Sequence, residues 1–128
     1  MIPGHRRRLD GGQATVELAL CLPVLLMAVL LVVQVGLVVR DQLRTVHAAR
    51  EAARQAAVDP SEAAATAAAL GGSGLPAGRT TVRLSGRGEA GSHVTAVVIY
   101  RAVTDVPLVG FLVPDPELHA EATMRVEG

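Results

Sequence analysis

Residues 18–39 read LALCLPVLLMAVLLVVQVGLVV, and the fold of the chain turns on what this run is. It carries no charge over about 22 residues, and a helix rising ~1.5 Å per residue would cover the ~30 Å hydrocarbon core of a bilayer. A buried helix of a soluble protein is the competing reading. It needs a large core around it, which the rest of the chain does not supply. Backbone groups in lipid have no partner outside their own segment, so a span bounded by Leu18 and Val39 should be helical. Pro23 is expected near the helix start, where few helical hydrogen bonds are lost. Gln34 is the strongly polar side chain inside the run and Gly36 its glycine. Both suit a helix that touches another helix in the membrane, and a Gln near the far end also suits the interface.

Length and composition limit what surrounds the span. The chain has 128 residues and a formal net charge of zero, which implies no general attraction to nucleic acid or to anionic lipid. Beyond the span the large apolar side chains are few, so a domain built there buries little surface and leans on its own long helix or on neighbouring subunits. Cys21, the single cysteine, lies in the span and excludes an intrachain disulfide.

Residues 1–12, MIPGHRRRLDGG, form a short basic leader with Arg6, Arg7 and Arg8 in a row. An ordinary secretory signal would need a shorter apolar run and a small-residue cleavage site before Arg40. A twin-arginine address has only the arginines in its favour. A third reading rests on GGQATVE, residues 11–17: a cut after Gly12 would make Gln13 the first residue and Glu17 the fifth, at the lip of the apolar helix.

The stretch from Gly11 to Arg54, GGQATVELALCLPVLLMAVLLVVQVGLVVRDQLRTVHAAREAAR, resembles type IV prepilins. It resembles more closely the TadE-like proteins of tight-adherence (Flp-type) pilus systems. Residues 120–127, AEATMRVE, resemble them more weakly. Leu18 stands where major pilins usually have Phe, which points to a minor or accessory subunit. The resemblance implies leader cleavage between Gly12 and Gln13 by a prepilin peptidase. It also implies a cytoplasmic N-terminus and an extracytoplasmic C-terminal domain on a single-pass anchor in the cell membrane. The flanking arginines, Arg6–Arg8 on one side and Arg40, Arg44, Arg50 and Arg54 on the other, do not decide orientation by themselves. A carboxylate near lipid costs a few kcal/mol unless paired. Glu17 would therefore pair with a neighbour's new amino terminus and set the axial register of packed helices. Its other reading is a charge favourably placed near a helix N-terminus at the headgroup boundary.

Past Arg40 the helix is expected to continue through Val58, since DQLRTVHAAREAARQAAV lacks Gly and Pro and is rich in helix formers. Leu43, Val46, Ala49, Ala53 and Ala57 form a narrow stripe of small side chains, suited either to subunit packing or to covering the domain's own sheet. Asp59-Pro60-Ser61-Glu62 predicts a second helix from Pro60 to about Leu70, with Asp59 as N-cap and Gly71 as terminator. Residues 71–78, GGSGLPAG, read as a flexible connector. Alternation over 80–85, 93–103 and 118–126 predicts three antiparallel strands, the middle one central because it is apolar on both faces. The apolar loop Pro107–Pro116, PLVGFLVPDP, has three readings: tucked under the sheet, resting on the membrane, or a contact patch. Base rates favour the first.

Residues 86–91, GRGEAG, spell a dinucleotide fingerprint, but a strand follows where that motif needs a helix. His5, His47, His93 and His119 lack metal-ligand spacing, although His93 and His119 could meet across strands. No nucleophile motif, cofactor site or small-molecule site is evident. The expected fold is therefore α+β: a basic leader (1–12), a long helix (13–58) transmembrane in its first half (18–39), and a small domain (59–128) with a short helix and a three-stranded antiparallel sheet. The expected role is a non-enzymatic, membrane-anchored pilin-like subunit working with other pilin-like subunits and pilus assembly proteins, without nucleic acid or cofactor. The alternative is an unprocessed, membrane-anchored binding or accessory module.

Overall fold

The computed structural model describes residues 7–86 and 88–127, with side chains from residue 12 onward. The fold is α+β. Helix α1 runs from Arg7 to Val58 and α2 from Glu62 to Ser73; a 3₁₀ turn, Ala77–Arg79, then leads into β1 (Thr80–Ser85), β2 (His93–Arg101) and β3 (Glu117–Arg125). At ~1.5 Å per residue α1 is about 78 Å long, so its first half projects from the small domain while its second half belongs to it. The strands form an antiparallel sheet of order β1-β2-β3, with β2 in the centre as its two apolar faces require. The register sets Val82 opposite Val98 and Val98 opposite Ala120, so the inward rows coincide.

The core is made largely of alanine. Ala48, Ala49, Ala52, Ala53, Ala56 and Ala57 of α1 meet Ala65 and Ala69 of α2, and beneath them lie Val82, Val94, Ala96, Val98, Tyr100, Leu118, Ala120 and Val126 of the sheet side. Two adjacent alanine rows at four-residue spacing form a face wide enough for α1 to pack on α2 and on the sheet at once. That face is broader than the expected stripe and rotated from it: Ala49, Ala53 and Ala57 are buried, Val46 is half-buried, and Leu43 is exposed. The domain's own elements consume it, which decides against the subunit-packing reading.

Several boundaries differ from expectation. The N-cap of α2 is Ser61, whose Oγ accepts from the Ala64 N–H at 3.2 Å, while Asp59 Oδ1 accepts from the Ser61 N–H at 2.8 Å. The two side chains cap in series, so the helix starts two residues later than Pro60. It also passes through Gly71 and ends at Ser73, capped by Gly74 at φ 71°. At Gly72 a Cβ would meet His47 Nε2 at an ordinary contact distance of 3.5 Å, and at Gly71 it would meet nothing within 4 Å, so packing on α1 does not require glycine at either position. The expected connector is therefore mostly ordered structure, with Leu75 buried in the core. His93 and His119 do not meet: they face Arg125 and Ile99 across the sheet. The GRGEAG segment is the β1–β2 hairpin, with positive φ at Gly86 and Gly91; Arg87 lies outside the described residues.

The β2–β3 connection is half tucked and half exposed. Val106 and Val109 are buried, whereas Leu108, Phe111 and Leu112 are exposed. Its base is clamped by Asp115, whose Oδ1 accepts from the Thr104 N–H at 3.0 Å and whose Oδ2 pairs with Arg79 Nη2 at 3.0 Å. Arg79 Nε donates to the Arg101 carbonyl at 2.8 Å. At Gly110 a Cβ would lie 2.8 Å from the Thr104 carbonyl oxygen, so only glycine lets the loop close this tightly.

An Ala53→Leu substitution, which overfills the shared face, is expected to destabilise the domain by about 1–3 kcal/mol. Ala63→Leu, on the exposed side of α2, should stay within about 0.5 kcal/mol. Thermal unfolding of the two variants checks this.

The bound Thr104 N–H holds the Asp115 carboxyl below its ordinary pKa. Desolvation opposes this, and the Arg79 hydrogen bond and charge, with the Arg101 charge, reinforce it. A depressed folded pKa means the clamp contributes fully above the unfolded value of about 3.9 and is lost as pH falls through the folded one. The Thr104 amide resonance should titrate with a midpoint below that of a free aspartate. A midpoint at or above it would contradict the clamp, and Asp115→Asn should abolish the titration.

Candidate functional site: the apolar helix and its two ends

Helix α1 is the one described helix long and apolar enough to cross a membrane, and none of its most apolar 18-residue window is buried. A core helix of a soluble protein would be mostly buried. The exposed window therefore fits a single-pass membrane protein.

At the upstream end Gly12 sits within α1, with nothing within 4 Å of where a Cβ would stand. Gln13 follows in the same helix, so the Gly12–Gln13 bond is helical. Glycine in a helix interior costs about 0.5–1 kcal/mol relative to alanine. The pair Gly11-Gly12 therefore makes this turn of α1 cheap to unwind. One turn on, Gln13 Nε2 approaches Glu17 Oε1 at 3.5 Å; both side chains are exposed, so this contact is weak. Glu17 stands immediately before Leu18, at the edge of the charge-free run.

Leu18 and Val39, at the ends of the run, are both exposed. Pro23 is not near the helix start. Because residues 7–17 are also helical, it lies inside α1, where its missing N–H removes one helical bond in the span. Gln34 is turned inward: it is 6% exposed, and its Oε1 is buried without a partner. It is thus enclosed by its own chain rather than presented to a second helix. Gly36, two residues on and so about 200° around the axis, is exposed, and a Cβ added there would meet nothing within 4 Å. Around Gln34, Met27, Leu30, Leu37 and Val38 are half-buried while the other residues of the run are exposed. These five positions recur at three- and four-residue steps and lie on one face.

A polar collar that sequence reading missed closes the downstream end. Asp41 is buried and lies 3.6 Å from Arg40 Nε and 3.8 Å from Arg44 Nη1. Thr45 Oγ1 donates to the Asp41 carbonyl at 2.8 Å, and Gln42 Nε2 to the His119 carbonyl at 3.2 Å. The i,i+3 spacing of Asp41 and Arg44 was the available signal; the bond to His119 had none.

Elsewhere the polar chemistry is sparse. Arg79, Thr81, Arg83, Ile99, Arg101 and Glu117 line an open groove of about 400 Å³ on the outer sheet face. Arg79 is committed to Asp115, and Arg101 lies 3.9 Å from Glu117. Among the described residues no group of three or more His, Cys, Asp or Glu is placed to hold a metal ion.

No curated protein and no solved structure matches the chain. The family model described as "TadE-like protein" matches residues 12–54. The match takes in the Gly12–Gln13 junction, the whole apolar run, the polar collar and the first turns of the alanine face. Over those residues the chain carries the sequence pattern of the TadE-like family.

Proposed function

We propose that this protein is a membrane-anchored, pilin-like minor or accessory subunit that takes part in assembling a Tad (Flp-type) pilus or a related secretion apparatus. The observation that carries the proposal is the TadE-like match: it begins at Gly12, the residue after which the leader would be cut, and runs on through the exposed apolar helix. On this reading residues 1–12 are a leader removed by a prepilin peptidase. Residues 13–58 anchor the protein and join it to its domain, and residues 59–128 complete an extracytoplasmic module. The role is structural and non-enzymatic.

Charge supplies the mechanism. Cleavage turns Gln13 into a cationic amino terminus beside lipid, where an unpaired charge costs a few kcal/mol. The exposed Glu17 of a neighbouring subunit neutralises it, and the requirement that the two charges meet sets the axial offset between packed helices. The competing reading, an uncut membrane-anchored module, draws its support from the unbroken helix across Gly12–Gln13.

Intact-mass measurement or N-terminal sequencing of protein from the native host separates the two. The mature chain should begin at Gln13, and Gly12→Leu should leave it full-length. Glu17→Ala should insert normally, because the apolar run is untouched, but should be missing from sheared surface assemblies. If only full-length protein is found and Glu17→Ala assembles as well as the parent, the uncut anchor is the better account.

A further inference from the structure

The β2–β3 connection presents an apolar tip. Residues 106–114, VPLVGFLVP, carry no charge. Within them Val106 and Val109 point into the protein, while Leu108, Phe111 and Leu112 are 57%, 87% and 58% exposed. This is a built presentation. The N–H groups of Gly110, Leu112 and Val113 donate back to the Val106 and Val109 carbonyls at 2.9–3.0 Å. The Asp115 clamp closes the base, and Leu108 is held at φ 67°, a conformation that costs a non-glycine residue energy. Three large apolar side chains are thus fixed outward on an ordered turn.

The register of the domain on α1 places this tip. Gln42 Nε2 bonds the His119 carbonyl and the Glu127 N–H bonds the Ala57 carbonyl, so β3 runs alongside α1 in the same direction. Glu117, the first residue of β3, precedes His119 by two residues, about 7 Å of extended chain, which corresponds to about four helical residues. The connection therefore leaves the sheet near the level of Val38, toward the apolar half of α1. There the helix is shielded on the single face of Met27, Leu30, Gln34, Leu37 and Val38. Two buried polar atoms have no partner among the described residues, Gln34 Oε1 in the helix and Thr104 Oγ1 at the loop base.

We propose that the tip formed by Leu108, Phe111 and Leu112 inserts into the leaflet beside the end of the span. It would act as a second, shallow membrane contact that covers Gln34 with protein and turns its own outer side to acyl chains. The proposal rests on the reading of α1 as a transmembrane helix. Lipid is the favoured occupant because the patch continues the exposed apolar surface of α1 at the same level. It explains why a loop rigid enough to bury its polar backbone leaves its largest apolar side chains outside. It also explains how the span tolerates Gln34: the amide is held between helix and loop, away from hydrocarbon. The small domain would then be held at a fixed tilt against the membrane by two contacts instead of swinging on one helix.

The chain has no tryptophan, so single-tryptophan variants report position directly. Full-length Phe111→Trp, Leu25→Trp (mid-span) and Thr81→Trp (outer sheet face) would each be reconstituted at high dilution in phosphatidylcholine vesicles containing lipids brominated at graded depth. Far-UV circular dichroism would confirm that each is folded. Quenching of the 111 probe by shallow bromines, of the 25 probe by deep ones and of the 81 probe by none is the expected result. Quenching at 25 without quenching at 111 overturns the proposal and leaves the span intact. No quenching at 25 overturns the span itself, and the proposal with it. If the blue shift at 111 grows with protein density instead of bromine content, a second copy covers the tip, and the lipid assignment is wrong.

Discussion

Everything in this structure depends on how closely α1 can approach its own domain. Two rows of alanine, Ala48, Ala52 and Ala56 beside Ala49, Ala53 and Ala57, give the helix a flat, broad face with almost no side-chain depth. Helices meeting through alanine and glycine bring their backbones together. Here that contact is shared between α2 and the sheet, so one helix closes a two-layer core that no other element could close. Each alanine buries little area, and stability comes from the number and closeness of contacts rather than from any large side chain. A core so thin has no room for additional volume.

The consequence is mechanical. The apolar helix and the domain's central helix are the same 52-residue rod, without a glycine or proline between Gly36 and Val58. Force or position transmitted along the apolar half reaches the domain without a hinge. The proposed role needs this continuity, since in it Glu17 at the far end of the rod would set the axial register of the subunit. The polar collar of Asp41, Arg40 and Arg44 marks where the rod passes from apolar surroundings into the domain, and the Gln42–His119 bond ties β3 to that level.

Burial of Gln34 and exposure of Phe111 are two sides of one arrangement. In water an exposed phenylalanine and a buried, unsatisfied amide would both be unfavourable. In the proposed placement beside a bilayer the same pair is accommodated, since hydrocarbon would accept the ring and the loop would keep hydrocarbon from the amide. The clamp of Asp115 on Thr104 and Arg79 supplies the rigidity this requires from the solvent side.

The apolar run long enough for a span, the class and order of the elements, the strand alternation and the central place of β2 were legible in the sequence. Each follows from periodicity or hydrophobicity counted along the chain. It also carried the Gly12–Gln13–Glu17 pattern, because that is a local motif. Tertiary structure alone decided what depends on neighbours distant in sequence. Two alanine rows are buried where one stripe was expected, since alanine gives the same weak signal facing protein or solvent, and Leu43 is left outside when the face rotates toward both α2 and the sheet. Gln34 turns inward and Phe111 outward for the same reason: side-chain polarity states what each residue prefers, and only the register of β3 on α1 establishes what each one meets.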